Sequence, residues 1–162
     1  MRAMKPITTE KELYLEMLKD IYSAEVKIVG ALMSFKKSTD SPALTNLIKQ
    51  HTGVTRMQIL RLEEMIEELD DALRADHCRT MLTLIEESKE LVNRCTEAAL
   101  QDKAITLALN RINQCELQVY HLLNDNAREV IPEKFWKLLE YNLNEEEEFR
   151  EALHGLVAQT VN

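Results

Sequence analysis

The stretch ITLALNRINQCELQVYHLL, residues 105–123, is apolar at Ile105, Leu109, Ile112, Val119 and Leu123 and carries Glu116 where the spacing calls for another apolar residue. Steps of four and three residues put these side chains on one helical seam, the pattern of helices packed against each other. A carboxylate in such a seam is expensive to bury unless a cation or a proton compensates it. Something must answer the charge.

The same pattern occurs at both ends of the chain. Tyr14, Leu18, Ile21, Glu25, Ile28, Leu32 and Phe35 form one seam, and Phe135, Leu139, Asn142, Glu146, Phe149, Leu153 and Leu156 form another. A further seam, Leu44, Ile48, His51, Thr55, Gln58, Leu62, Met65 and Leu69, has a polar middle without an acid. Four long seams predict an all-α fold, a four-helix bundle.

Local signals set the boundaries. Thr9 with Glu12 is a capping-box pattern, so the first helix is expected over about 10–37. Ser41 caps the next, with Pro42 at its first position, over about 41–72. A shorter amphipathic helix is expected over about 78–100, with Met81, Leu84, Ile85, Ser88, Leu91, Val92 and Cys95 on one face. Asp102 is the expected cap of a helix over about 102–130, and Pro132 opens the last, over about 132–159. The layout is one domain, 1–162, with a single long crossover that carries the extra short helix. Gly30, Gly53 and Gly155 all fall inside helices, at a cost of about 1 kcal/mol each relative to Ala; close approach of a neighbouring helix is the expected reason.

Composition narrows the function. A net charge of −8 and a pI near 5.1 argue against nucleic-acid binding, which needs clustered Lys and Arg. Cys78, Cys95 and Cys115 are odd in number and lack paired spacing, as expected of reduced thiols in the cytoplasm. No stretch reads as a signal peptide or a membrane span. The acidic runs around Glu63–Glu68 and Glu145–Glu148 are solvated helix faces apart from Glu146. No nucleophile triad, glycine-rich phosphate loop or zinc-type cysteine pair is present, so no catalytic residues are assigned.

Because each glutamate sits mid-seam, antiparallel packing brings all three to one depth. At an effective dielectric near 20, two unit charges about 6 Å apart repel by roughly 3 kcal/mol, so three bare carboxylates would not all stay ionised. Metal, an internal base or protons are the three remedies. Arg150 follows Glu146 by four residues and is the candidate internal cation, paired with it and leaning toward the centre. His51 and Gln58 can point inward, whereas Arg56 is rotated off its seam and His77, His121 and His154 read as surface residues.

These residues carry a family resemblance. Asp20 through Glu25, His51 through Arg61-Leu62-Glu63, Cys78 through Glu86-Glu87, Glu116 with Tyr120, and Leu138-Leu139 through Glu145-Glu146 resemble the YciE/YciF-like ferritin-like proteins, in order along nearly the whole chain. The resemblance implies a ferritin-like bundle, a homodimer, a bacterial family linked to stress responses, and a two-metal carboxylate centre that Glu25, His51, Gln58, Glu116 and Glu146 match. Three departures stand out. Gly53 and Val54 replace an acidic pair, Asn113 replaces an acid one turn before Glu116, and Arg150 replaces the acid after Glu146.

Each departure removes an oxygen ligand. The expectation is therefore a remnant metal site of Glu25, His51, Glu116 and Glu146, set among a structural polar centre of Thr55, Gln58, Asn113, Asn142 and Arg150. No cofactor is expected, with iron or manganese as the ion if the site is filled. The expected role is a stress-associated structural protein rather than an enzyme. The alternatives are a metal-binding oxidoreductase of ferritin-like type and a helical protein-interaction module.

Overall fold

The computed structural model describes residues 5–69 and 78–160. Helix α1 spans Glu10–Ser38, α2 Pro42–Glu68, α3 Arg79–Arg94, α4 Ala98–Val130 and α5 Glu133–Thr160. The capping box at the start of α1 forms in full: the Thr9 hydroxyl accepts from the Glu12 N–H at 3.1 Å, and the Glu12 carboxylate accepts from the Thr9 N–H at 3.2 Å. Lys36 and Lys37 in its last turn complement the helix dipole. Ser41 caps α2 through the Leu44 N–H at 3.3 Å, with Pro42 following it.

Helix α1 packs on α2 and α4 on α5, while α1 also meets α4 and α2 meets α5. The four surround one core, and α3 lies along α1 and α4 inside the crossover. The seams point inward as their spacing requires: Leu18, Ile48, Ile105, Phe135 and Leu153 are fully buried. Each such side chain contributes roughly 1.5–3 kcal/mol of transfer free energy. None of the helices, among the described residues, is long and apolar enough to cross a membrane.

Three local expectations are corrected. Helix α4 starts one turn before Asp102, at Ala98, and Asp102 serves a different purpose. Its carboxylate accepts from the hydroxyl of the buried Thr39, which follows α1 and needs an acceptor away from water. Helix α3 ends at Arg94 rather than near 100, buries Met81, Leu84, Ile85, Ser88 and Val92, and leaves Leu91 exposed. The glycines are not sites of close helix approach: a Cβ at Gly30, Gly53 or Gly155 would meet nothing within 4 Å. The described part of α2 ends at Glu68 with Leu69 as its C-cap, and residues 70–72 of the expected span, like His77, lie outside the described residues.

Candidate functional site

Antiparallel pairing brings the middles of α1, α2, α4 and α5 to one level, where the seams place polar groups. Glu25, Glu116 and Glu146 are all 0% exposed, and His51, Thr55, Gln58, Asn113 and Asn142 are buried around them.

Glu146 is held on both oxygens. The Gln58 amide donates to Oε1 at 2.9 Å and the Asn113 amide to Oε2 at 2.8 Å. Glu25 Oε1 accepts from the Tyr120 hydroxyl at 2.6 Å, and that hydroxyl in turn accepts from the Asn142 amide at 3.2 Å. The His51 ring lies flat on Phe149, centroids 3.5 Å apart. Its Nε2 is 3.5 Å from Glu146 Oε1 and makes no hydrogen bond. Thr55 donates to the His51 backbone carbonyl at 2.9 Å, so its hydroxyl serves the helix rather than the carboxylates.

Among the described residues, six buried side-chain atoms have no hydrogen-bond partner: Glu25 Oε2, both oxygens of Glu116, Gln58 Oε1, Asn113 Oδ1 and His51 Nε2. Five are acceptor oxygens, and the sixth accepts when the imidazole carries its proton on Nδ1. The site is rich in lone pairs and poor in positive charge. Such a group of buried acceptors needs cations, protons or ordered water.

Burial decides the protonation. It pushes the Glu25 carboxyl up to about 8, reinforced by the charge of Glu146 and opposed by the Tyr120 hydrogen bond. Burial also raises Glu146, to about 7, against the opposing pull of the Gln58 and Asn113 amides. Glu116 has no such donors, and burial followed by repulsion from Glu146 and Glu25 drives it well above the usual range. All three carboxyls are raised by burial and act on one another, so they titrate as one unit. As an acid Glu116 has one O–H to donate toward its carboxylate neighbours, which lowers Glu25 and Glu146, while its other oxygen remains an acceptor. Burial depresses His51 to about 3, so its contact with Glu146 at neutral pH is not an ion pair.

Arg150 does not enter this centre. Its Nη2 lies 2.5 Å from Glu147 Oε2 on the outer face of α5, with the side chain 43% exposed. Phe149 fills the interior beside His51, and one residue further round the helix the guanidinium keeps its hydration by turning outward. Arg56, His121 and His154 are exposed, Gly53 is exposed and Val54 half-buried. Two residues that carry the resemblance but were given no role in the site also contribute. Tyr120 lies one turn after Glu116, and its buried hydroxyl needed a partner; Arg61, at the border of the site, donates to Asn142 Oδ1 at 2.8 Å.

The donor set fits one metal ion. Ligand atoms of His51, Glu116 and Glu146 all lie within 4.8 Å of one another. Metal–ligand bonds of roughly 2.0–2.6 Å allow ligands on one ion to stand up to about twice that distance apart. His51 Nε2 and a Glu116 oxygen would hold it with Glu146, whose oxygens already accept amide bonds. A two-metal centre needs a glutamate from each of two helices and a Glu/His pair from each of the other two. Here α2 supplies His51 without an acid and α5 supplies Glu146 without a histidine, so that set is not filled.

Residues 9–162 match the family model described as "Domain of unknown function (DUF892)". The chain is 28% identical to Protein YciF of Escherichia coli (strain K12) over 155 residues, 95% of this chain and 93% of that one. The crystal structure of the E. coli stress protein YciF superposes with a TM-score of 0.89 at 28% identity, covering 96% of this chain and 99% of that one. YcfI from Rhodopseudomonas palustris, described as a candidate structural protein, gives a TM-score of 0.87 at 27% identity, covering 93% of this chain and 96% of that one.

Proposed function

The chain belongs to the DUF892 family, and from that premise we propose a stress-associated structural protein: a ferritin-like bundle whose carboxylate centre is metal-poor and balanced by shared protons. The stress and structural roles follow the descriptions of its relatives. One observation supports the metal-poor centre above the others. The neutral amides of Gln58 and Asn113 donate to both oxygens of Glu146, so part of its charge is answered without an ion. On this reading the protein works in the cytoplasm as a homodimer and carries out no catalysis of its own.

A second reading has its own support. The convergence of His51, Glu116 and Glu146 and the unpartnered acceptors favour one iron or manganese ion in an oxidoreductase. A bound ion would add Lewis-acid and redox chemistry. Elemental analysis of untagged protein, followed by an Fe(II) oxidation assay, separates the two. The metal-poor reading expects well under one ion per chain and no turnover; stoichiometric iron with turnover overturns it. Solution mass measurement tests the homodimer, and a monomeric mass removes that part.

A further inference from the structure

One hydrogen-bond chain crosses all four bundle helices. At its outer end, on α2, Arg61 makes a two-pronged ion pair with Glu145 of α5: Nη1 to Oε2 at 2.7 Å and Nη2 to Oε1 at 3.0 Å. These side chains are 20% and 25% exposed, so the pair borders solvent. The same Nη1 donates to Asn142 Oδ1 at 2.8 Å, Asn142 Nδ2 donates to the Tyr120 hydroxyl at 3.2 Å, and that hydroxyl donates to Glu25 Oε1 at 2.6 Å. The members lie on α2, α5, α4 and α1 in turn.

The direction of the chain has one source. An asparagine amide presents an acceptor on one side and a donor on the other, and a tyrosine hydroxyl both donates and accepts. Either can be turned round. A guanidinium cannot, because it only donates. With Arg61 on Asn142 Oδ1, the amide nitrogen must face Tyr120, and the hydroxyl proton must go to Glu25.

We propose that Arg61 is a positioning residue for the buried centre: from the bundle surface it fixes the direction of the Asn142–Tyr120–Glu25 chain. It thereby decides that Glu25 meets the centre with Oε1 capped and Oε2 open. Without Arg61 the Asn142 amide turns over, its oxygen accepts the Tyr120 proton, and Glu25 loses its cap. The two-pronged grip of Glu145 holds the guanidinium at the required angle. This assignment is independent of whether protons or a metal balance the carboxylates.

Proton NMR of the full-length protein tests it, with the hydroxyl protons of buried tyrosines as probes. Tyr14 is the internal control: its hydroxyl is also buried and donates to the Leu123 carbonyl at 2.7 Å, with no link to Arg61. Tyr120→Phe assigns the Tyr120 line. In Arg61→Met that line should be lost or displaced while the Tyr14 line stays in place, and Arg61→Lys, which keeps a cationic donor, should restore it in part. An unmoved Tyr120 line in folded Arg61→Met overturns the proposal, and so does equal displacement of both lines, which reports general loosening. Should Arg61→Met not fold, Glu145→Gln replaces it: the Tyr120 line should shift alone and by less, and no shift overturns the proposal.

Discussion

Arg150 pairs with Glu147, Nη2 to Oε2 at 2.5 Å, and turns its charge away from the neighbouring buried Glu146. The carboxylate cluster therefore has no counter-charge from the residue that sequence spacing offers for the role. That leaves protons or a metal to balance the three glutamates.

The first consequence concerns stability. A partly exposed ion pair contributes about 0–1 kcal/mol, whereas stranding a buried charge costs about 3–5 kcal/mol. Arg150→Ala should lower unfolding stability by less than about 1 kcal/mol in urea denaturation. A loss in the larger range would mean that Arg150 compensates the centre after all.

The second concerns pH. In the unfolded chain the carboxyls ionise near 4.5, whereas in the fold Glu146 keeps its proton to about 7 and Glu25 to about 8. Between these values the folded state binds more protons than the unfolded one, so their contribution, fully present below 4.5, is lost as pH rises. His51, lowered from 6.5 to about 3, acts in the opposite sense but only below 6.5, where the unfolded chain takes up a proton and the fold does not. Chelator-treated protein should lose stability between pH 6.5 and pH 8 in denaturation series. A flat or rising profile counts against proton balance.

Glu116 is the group to change, because neither of its buried oxygens accepts a hydrogen bond and the charges of Glu146 and Glu25 both act on it. Glu116→Gln keeps its shape and removes the possibility of a third negative charge. Thermal denaturation should show the variant stabilised at pH 8 and little changed at pH 5, because the unfolded chain no longer gains by ionising a carboxyl that the fold keeps protonated. Destabilisation at both pH values would show that the carboxyl itself is required, as a metal ligand would be.

The three helix glycines offer a test of the fold alone. With open space where each Cβ would stand, Gly30→Ala, Gly53→Ala and Gly155→Ala should each stabilise by up to about 1 kcal/mol, least at Gly155 near the end of α5. Their effects should add, because nothing stands within 4 Å of any of the three Cβ positions and the substitutions share no contact. Loss of stability in any of them would reveal a contact on that face in solution.

The helices were legible because their signals are local. The capping box at Thr9 and Glu12 and the Ser41–Pro42 start both stand where the sequence puts them. The convergence of Glu25, Glu116 and Glu146 was legible for a different reason, the seam spacing, which fixes depth as well as direction. What was hidden depends on long or versatile side chains. Arg150 can reach inward or outward from the same backbone position, and the Phe149 ring beside His51 decided it. Asp102 had the right chemistry for a cap, but the buried Thr39 hydroxyl, 63 residues away, claimed it. The Arg61–Asn142–Tyr120–Glu25 chain joins four helices, and no spacing within one helix announces it.

Infrared spectroscopy of the protein as isolated, at pH 7, tests proton balance most directly, because a protonated carboxyl has a carbonyl stretch separate from that of a carboxylate. The account predicts a buried carboxylic acid band that deuterium exchange shifts only slowly, that Glu116→Gln diminishes, and that chelator leaves unchanged. Absence of that band, with its appearance only after chelation strips a bound metal, would contradict the account.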